Sequence, residues 1–315
     1  MQPSRVAIIG ADWPEYELFC PHFSGMQIGL STLGIDHKLF SCRPVLNTEE
    51  VIAYNPDLVI YALIDMVRVP EKRLEIRRAL PDARIVLWYG DLRKAQPFAD
   101  LSEIDAMFVS NDAQSDFYKK VWKVPECHFL PLGSPLYSAS HTERLARDFV
   151  FVGALNTGEL YGHRAEMMVR FKEAGLLVVN ADAQKQPRRR AQIMKDLPSL
   201  YRSARIALDV SHFTDIQGYT SNRFWVISAS CGFPLTKRWP GCEAFFPEGT
   251  RVYFDTIEEA LELKEFYLNN TAERARIQLA GYARAKYHTY DHRFKSMFQR
   301  LYGTPDQSTT PGISE

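Results

Sequence analysis

The stretch from Ala204 to Lys237 constrains this chain more than any other. Ile206 to Val210 is a β-type apolar run, and a polar, glycine-bearing loop follows from Ser211 to Ser221. Asn222 to Ser230 is amphipathic and stops at Cys231-Gly232, after which Phe233 to Thr236 forms a second short apolar run. Strand, loop, helix and strand in that order make the repeating unit of a parallel α/β sheet. In such sheets ligands collect outside the carboxyl ends of the strands, where loops meet helix N-termini. Ser221, Asn222 and Arg223 fall at that point. Ser221 can cap the helix, the first backbone N–H groups can face an anion, and Arg223 can add a planar fork of donors. The same residues also fit a capped surface helix with a solvated arginine.

The alternation extends along the whole chain. In the first half, Val6–Ile9, His37–Phe40, Asp57–Ala62, Arg84–Tyr89, Ala106–Ser110 and Cys127–Leu130 read as strands. Helical stretches at Met26–Leu33, Thr48–Tyr54, Pro70–Leu80 and Asp112–Val121 separate them. Ser134 to Arg147 is polar and aperiodic, which places a linker at 135–147 between a first domain, 1–134, and a second, 148–290. The second domain opens on the strand Phe149–Val152, which ends at Gly153, and continues with the helix His163–Ala174 and the strand Leu176–Asn180. Two helices, Pro187–Asp196 and Pro198–Ala204, lead into the central unit. The strand Arg251–Phe254 and the helices Ile257–Leu268 and Ala272–Tyr287 follow. Strands and helices in this order predict doubly wound parallel sheets. A last helix, Arg293–Leu301, carries Phe294, Met297, Phe298 and Leu301 at helical spacing, an apolar stripe that must be covered. Residues 291–302 could bury it on the second domain's own sheet or on the first domain, after a bend at His288–Asp291 with Asp291 as cap. Residues 303–315 have no core-forming side chains and are expected to be a disordered tail.

Composition excludes several classes. Lys+Arg and Asp+Glu balance at 38 each, so no global field draws the chain to nucleic acid or anionic membrane. No apolar run is long enough to span a bilayer. The five cysteines, Cys20, Cys42, Cys127, Cys231 and Cys242, are scattered, odd in number and form no CxxC pair, which favours reduced thiols and a cytoplasmic location over a disulfide or zinc framework. The first strand runs into a glycine-containing loop, but no GxGxxG follows it, so dinucleotide binding is poorly supported. His288 and His292 sit four apart, yet Thr-Tyr-Asp between them reads as a helix cap and no third ligand is near, so no metal site is expected. Lys185 with Arg188 to Arg190 is a basic run that could touch phosphates or simply be a solvated helix start. Lys237-Arg238-Trp239 could stack a base or a sugar, or be a turn after a strand. Ser228 to Ser230 lacks the GxSxG elbow of hydrolases.

Two Rossmann-like halves, a central linker and a C-terminal helix pair resemble a GT-B glycosyltransferase. In the second half the chain is similar to the spore-maturation (CgeB-like) group, related to the "group 1" transferases. The matching residues are Asp148-Phe-Val-Phe-Val-Gly153 with Arg164, Tyr201-Arg-Ser-Ala-Arg-Ile-Ala-Leu208, Ser221-Asn-Arg-Phe224 with Ala229, Cys231-Gly-Phe233, and His288-Thr-Tyr290 with Arg293. In the first half Trp88-Tyr-Gly-Asp91 and Leu130-Pro-Leu-Gly133 resemble the group.

The resemblance implies an α/β chain with two Rossmann-like domains facing across a cleft, its last helix crossing back to the first. It further implies a nucleotide sugar, UDP- or GDP-linked, bound as substrate by the second domain, with no cofactor. Gly153, Asn156, Arg164, Ser221, Asn222, Arg223 and Gly232 are the donor-binding candidates. A leaving nucleoside diphosphate gains negative charge, and without a metal it needs arginines and helix N-terminal N–H groups. The attacking acceptor loses a proton, so an inverting enzyme needs a base from the first domain; Asp91 ranks first, then Asp12, then His22. Retaining chemistry needs no such base. Group 1 transferases carry a Glu shortly after the Arg-Phe step for the ribose hydroxyls, and here Val226 occupies that place. A non-catalytic nucleotide- or glycan-binding module, and a nucleotide-sugar isomerase on the same fold, are the alternatives. A polysaccharide, a protein, a small molecule or a modified DNA base would each serve as acceptor.

Overall fold

The computed structural model describes residues 2–10, 21–42, 45–62, 69–90, 100–111, 114–153, 162–179 and 187–303. The chain divides into two compact units, the first comprising 1–17, 23–132 and 290–315, the second 18–22 and 133–289.

The first unit contains β1 (Arg5–Gly10), α1 (Pro21–Thr32), β2 (Asp36–Ser41), α2 (Thr48–Tyr54), β3 (Leu58–Tyr61), α3 (Pro70–Ala79), β4 (Arg84–Tyr89), β5 (Ala106–Val109), α4 (Ser115–Val121) and β6 (Cys127–Phe129). Its strands pair in parallel in the order β2-β1-β3-β4-β5-β6. The inner strands β1, β3, β4 and β5 are buried almost end to end, so they read in sequence as unbroken apolar runs. The edge strand β2 is DHKLFS and half exposed, with charge on the rim where it discourages pairing with another chain. Local chemistry fixes α2: Asn47 Oδ1 accepts from Glu50 N at its start, and Asn55 takes the left-handed conformation at its end, φ 49°.

The second unit contains β7 (Arg147–Val152), α5 (Gly162–Glu173), β8 (Leu177–Val179), α6 (Pro187–Ser203), β9 (Ala204–Asp209), α7 (Asn222–Ala229), β10 (Pro234–Lys237), α8 (Cys242–Phe245), β11 (Val252–Phe254), α9 (Ile257–Asn269) and α10 (Thr271–Ala285). The sheet order is β11-β10-β9-β7-β8. Counted from its own first strand, this repeats the order of the first sheet, with the winding direction reversing between β7 and β9 as it does between β1 and β3. β7 shows why both faces are covered. Phe149 and Phe151 enter a core with Met168, Phe171, Leu208 and Ile277, while Val150 and Val152 enter another with Tyr201, Ala207 and Val226.

The final helix, α11 (Tyr290–Tyr302), belongs to the first unit. Its buried stripe is Tyr290, Arg293, Phe294, Met297 and Phe298. Trp88 meets the rings of Tyr290 and Phe294 edge-on at 5.8 and 5.7 Å, and its indole N–H donates to Leu130 O at 3.2 Å. Arg293 Nε donates to Leu132 O at 3.2 Å, and burial pulls its guanidinium down to about 10. The two first-half motifs read from the sequence thus meet each other, and they seat the returning helix.

Four local expectations change. α6 runs unbroken through Pro198, which removes one helical N–H; the burial of Leu197, Leu200 and Tyr201 on both sides offsets that loss. α1 starts at Pro21 rather than Met26. The short α8 has no counterpart in the sequence reading, being a single turn. Asp291 lies inside the first turn of α11 and is not its cap. No described helix is long and apolar enough to cross a membrane.

Candidate active site

In the second unit the carboxyl ends of β7 and β9 lie side by side where the winding reverses, the place where doubly wound sheets hold ligands. α7 starts there. Ser221 is its N-cap by backbone geometry, φ −86° and ψ 162°, and its N–H donates to Ser211 Oγ at 3.2 Å. Its hydroxyl makes no capping bond, which corrects the expectation for that side chain. Ser221 Oγ and Asn222 Oδ1 are both buried and without a hydrogen-bond partner among the described residues. Buried polar atoms are ordinarily paired, so two orphans at one helix N-terminus mark a place built for something else.

Arg223 binds this end of the sheet together. Its Nε donates to Asp209 Oδ1 at 3.2 Å, Nη1 to Val152 O at 2.8 Å and Nη2 to Val210 O at 2.7 Å. One guanidinium therefore joins the last carbonyl of β7 to the first carbonyl beyond β9. Gly153 makes room for it, since a Cβ there would lie 2.9 Å from Arg223 Nη1 and 3.1 Å from the Phe151 ring. The Phe151 ring carries two cations, Arg223 at 4.4 Å and Arg164, from α5, at 4.9 Å.

Asp209 is shared. Its Oδ2 accepts from Arg251 Nη1 at 3.1 Å, and Arg251 also bonds to Thr236 Oγ1, Ser228 Oγ and Phe224 O while lying on the rings of Phe224 and Phe246. Burial pulls Arg251 below its ordinary range and Asp209 opposes that shift. Two buried guanidiniums on one buried carboxylate leave a net positive charge, an arrangement that favours an anion nearby. His212 follows directly in the loop after β9. Its Nδ1 lies 2.8 Å from Arg164 Nη1, and burial, reinforced by Arg164 and Arg223, pulls the imidazole down to about 3.

The structure thus brings together Gly153, Arg164, Ser221, Asn222 and Arg223. It removes Gly232, which sits at the other end of α7, about 12 Å away at the 1.5 Å rise of an α-helix. There it closes the turn into β10, where a Cβ would lie 2.8 Å from Tyr201 O. Asn156, Asp12 and Asp91 lie outside the described residues. His22 is not in a loop but in the first turn of α1, where it is buried. Val226 is 1% exposed in the core beside Tyr201, so its side chain is not presented to a ligand. Trp239 is 2% exposed within an aromatic cluster and Arg238 pairs with Asp255 and Glu243, so that segment offers no stacking platform. His288 bonds to Phe245 O at 2.9 Å and His292 faces Asp291 at 3.3 Å, and no metal-binding group of three was found among the described residues.

Asp209, His212, Arg251 and Phe151 were not singled out from the sequence. Asp209 had a signal: a lone carboxylate closing an apolar strand at its carboxyl end.

Two Rossmann-like units on one chain, with this cationic site in the second, have the fold of known glycosyltransferases. HepE of Anabaena in complex with UDP and glucose superposes with a TM-score of 0.59 at 9% identity, covering 96% of this chain and 100% of that one. An alpha-glucosyltransferase in complex with UDP-glucose and DNA containing an abasic site gives 0.65 at 11% identity, over 96% and 100%. A T4 phage BGT mutant in complex with UDP-glucose gives 0.63 at 12% identity, over 94% and 99%. At these identities the likeness is one of fold. No curated protein sequence matches the chain. The family model for glycosyl transferase-like proteins matches residues 141–299, half of the chain, and the chain belongs to that family. It is a glycosyltransferase, and the match is to the broad family without singling out a group within it.

Proposed function

We propose that this glycosyltransferase takes its sugar from a nucleotide donor, UDP-linked in the first instance and GDP-linked as the alternative, and seats the diphosphate at the N-terminus of α7. The observation that carries the reading is the convergence of the unpartnered Ser221 hydroxyl, which can donate to an anion, with Arg223, whose carboxylate is shared with Arg251; the unpartnered Asn222 Oδ1 can only accept, as from a hydroxyl of the donor. The departing diphosphate gains negative charge, and donors already fixed around it stabilise that charge without reorganising. Helix N–H groups and guanidiniums can do this unaided, so the transfer is proposed to be metal-independent. UDP ranks first because HepE and the alpha-glucosyltransferase were solved with UDP or UDP-glucose. The first unit is assigned to the acceptor, with Asp91 after β4 as the leading base, Asp12 after β1 second and buried His22 behind both.

The test is to incubate the protein with mass-tagged UDP- and GDP-sugars and quantify free nucleoside diphosphate, with and without EDTA. Slow release from one donor, undiminished by the chelator, is expected. Binding without release, whichever polysaccharide, protein, small molecule or DNA acceptor is offered, would reassign the chain as a binding module. Absence of any nucleotide affinity would remove the site.

A further inference from the structure

We propose that Ser110 and Asn111, at the carboxyl end of β5, read the hydroxyl groups of the acceptor, and that this acceptor is a neutral glycan. The inference rests on the assignment of the first unit to the acceptor. Both residues are 0% exposed. Ser110 Oγ, Asn111 Oδ1 and Asn111 Nδ2 are buried and have no hydrogen-bond partner among the described residues. Each atom has given up water and received nothing in return, which native cores rarely tolerate once, let alone on two consecutive residues.

Holding the chain in place does not explain these side chains, because the backbone already does so. Ser110 N donates to Tyr89 O at 3.3 Å, and Leu130 N donates to Val109 O at 2.7 Å. The segment is thus tied to β4 on one side and to the residue after β6 on the other. Two polar side chains carried on so fixed a support suit recognition. Ligands of open parallel sheets collect at this end of the strands. Val109 is the register partner of Tyr89, and Asp91, the leading base, follows Tyr89 by two positions in the chain.

The chemistry of the three atoms selects the ligand. A primary amide both donates and accepts, as does a serine hydroxyl, and neither carries charge. Sugar hydroxyls do the same, so two or three of them would satisfy every orphaned atom. An amide and a hydroxyl can also read the edge of a base, but a nucleic acid must first be held by Lys and Arg on its phosphates. In the first unit acidic side chains outnumber basic ones, which decides for the glycan.

The experiment offers the full-length chain the UDP- or GDP-sugar that the wild type accepts. The acceptors are the methyl glycosides of glucose, galactose and N-acetylglucosamine, and a hydroxymethylated DNA duplex. Nucleotide affinity by calorimetry and melting curves accompany each variant. The wild type should glycosylate a methyl glycoside and leave the DNA alone. Asn111→Leu should raise the glycoside KM about tenfold and Ser110→Ala about threefold, the scale of one or two lost hydrogen bonds, with nucleotide affinity kept within about twofold. Leucine is close to asparagine in shape and removes two orphaned atoms, so Asn111→Leu should melt at or above the wild-type temperature. An asparagine that only braces the loop or holds a buried water would lower it. An unchanged KM, a raised KM with a lowered melting temperature, or a wild type that glycosylates the DNA or none of the glycosides overturns the inference and leaves the donor site untouched. If the variants weaken the nucleotide and spare the KM, the assignment of the first unit to the acceptor fails instead. A wild type that binds no nucleotide defeats the donor reading and the inference together.

Discussion

In the first unit a buried carboxylate meets a buried guanidinium, Glu103 at 8% exposure and Arg73 at 2%. In the second unit Asp209, at 2%, serves both Arg223 at 8% and Arg251 at 0%. The two sheets repeat one winding order, and their strands are equally apolar, so the contrast does not come from the folds. It comes from where the charge is placed. Glu103 lies just ahead of the amino end of β5, where it also draws on helix α3, and the pair serves packing. Asp209 ends β9 at the carboxyl side, where the sheet reverses its winding and α7 presents its first N–H groups. A matched buried pair makes no demand on a ligand, whereas a carboxylate shared by two arginines leaves a positive charge that an anion can offset.

Removing a carboxylate or its partner gives the largest test. Arg73→Met should cost about 3–5 kcal/mol by chemical denaturation, since it strands Glu103 inside, and Asp209→Asn should cost about as much by stranding two guanidiniums. Arg251→Met should cost less, about 1–3 kcal/mol, because Asp209 keeps Arg223 and only the hydrogen bonds of Arg251 are lost. Equal costs for Arg251→Met and Arg73→Met would break the comparison.

The second test moves from stability to binding. Arg223→Ala should weaken UDP by about 1.5–3 kcal/mol in calorimetry, the scale of a charge-assisted bond. Arg223→Lys should recover only part of this, because an ammonium cannot reach Asp209 and both strand-end carbonyls in one plane. Unchanged affinity in the alanine variant would leave Arg223 a purely structural joint.

A smaller loss is expected from Gly153→Ala. The new methyl would crowd an arginine held by three bonds, at about 1–3 kcal/mol for overpacking, read as a lowered melting temperature. A neutral outcome would mean that Arg223 can yield.

The smallest effect is on pH dependence. His212 is held near 3 in the folded chain against an ordinary 6.5, so the unfolded chain binds a proton that the folded one excludes. Stability conferred by this group is therefore complete above about 6.5 and falls as pH drops towards 3. His212→Asn should flatten that part of the stability profile, measured by denaturation between pH 7 and pH 4; an unaltered slope would place the titration elsewhere.

Much of this was legible in the residues. Runs such as RIVLWY and RDFVFV are apolar at every inner position because a parallel strand is covered on both faces, and so their spans were read almost to the residue. Arg223 and Ser221 were legible because a strand–loop–helix unit places its loop at a known end of the sheet. Arg164, on the helix after β7, came from the family resemblance. Gly232 went astray because proximity in sequence to α7 says nothing of which end of the helix a residue joins. Pro198 misled because local chemistry argues for a break that buried neighbours override.

By itself, then, the sequence determined the alternation of strands and helices, the division into two α/β halves, the amphipathic last helix and the arginines at the helix starts. These follow from periodicity and from backbone hydrogen bonding, which act over a few residues. Only the tertiary structure decided that Asp209 binds residues 14 and 42 positions away, that Phe151 carries two cations, and that His212 meets Arg164 across 48 positions. Such pairings depend on which strand ends become neighbours when the sheet winds. That is fixed by burial of the whole sheet and leaves no periodic trace in the chain.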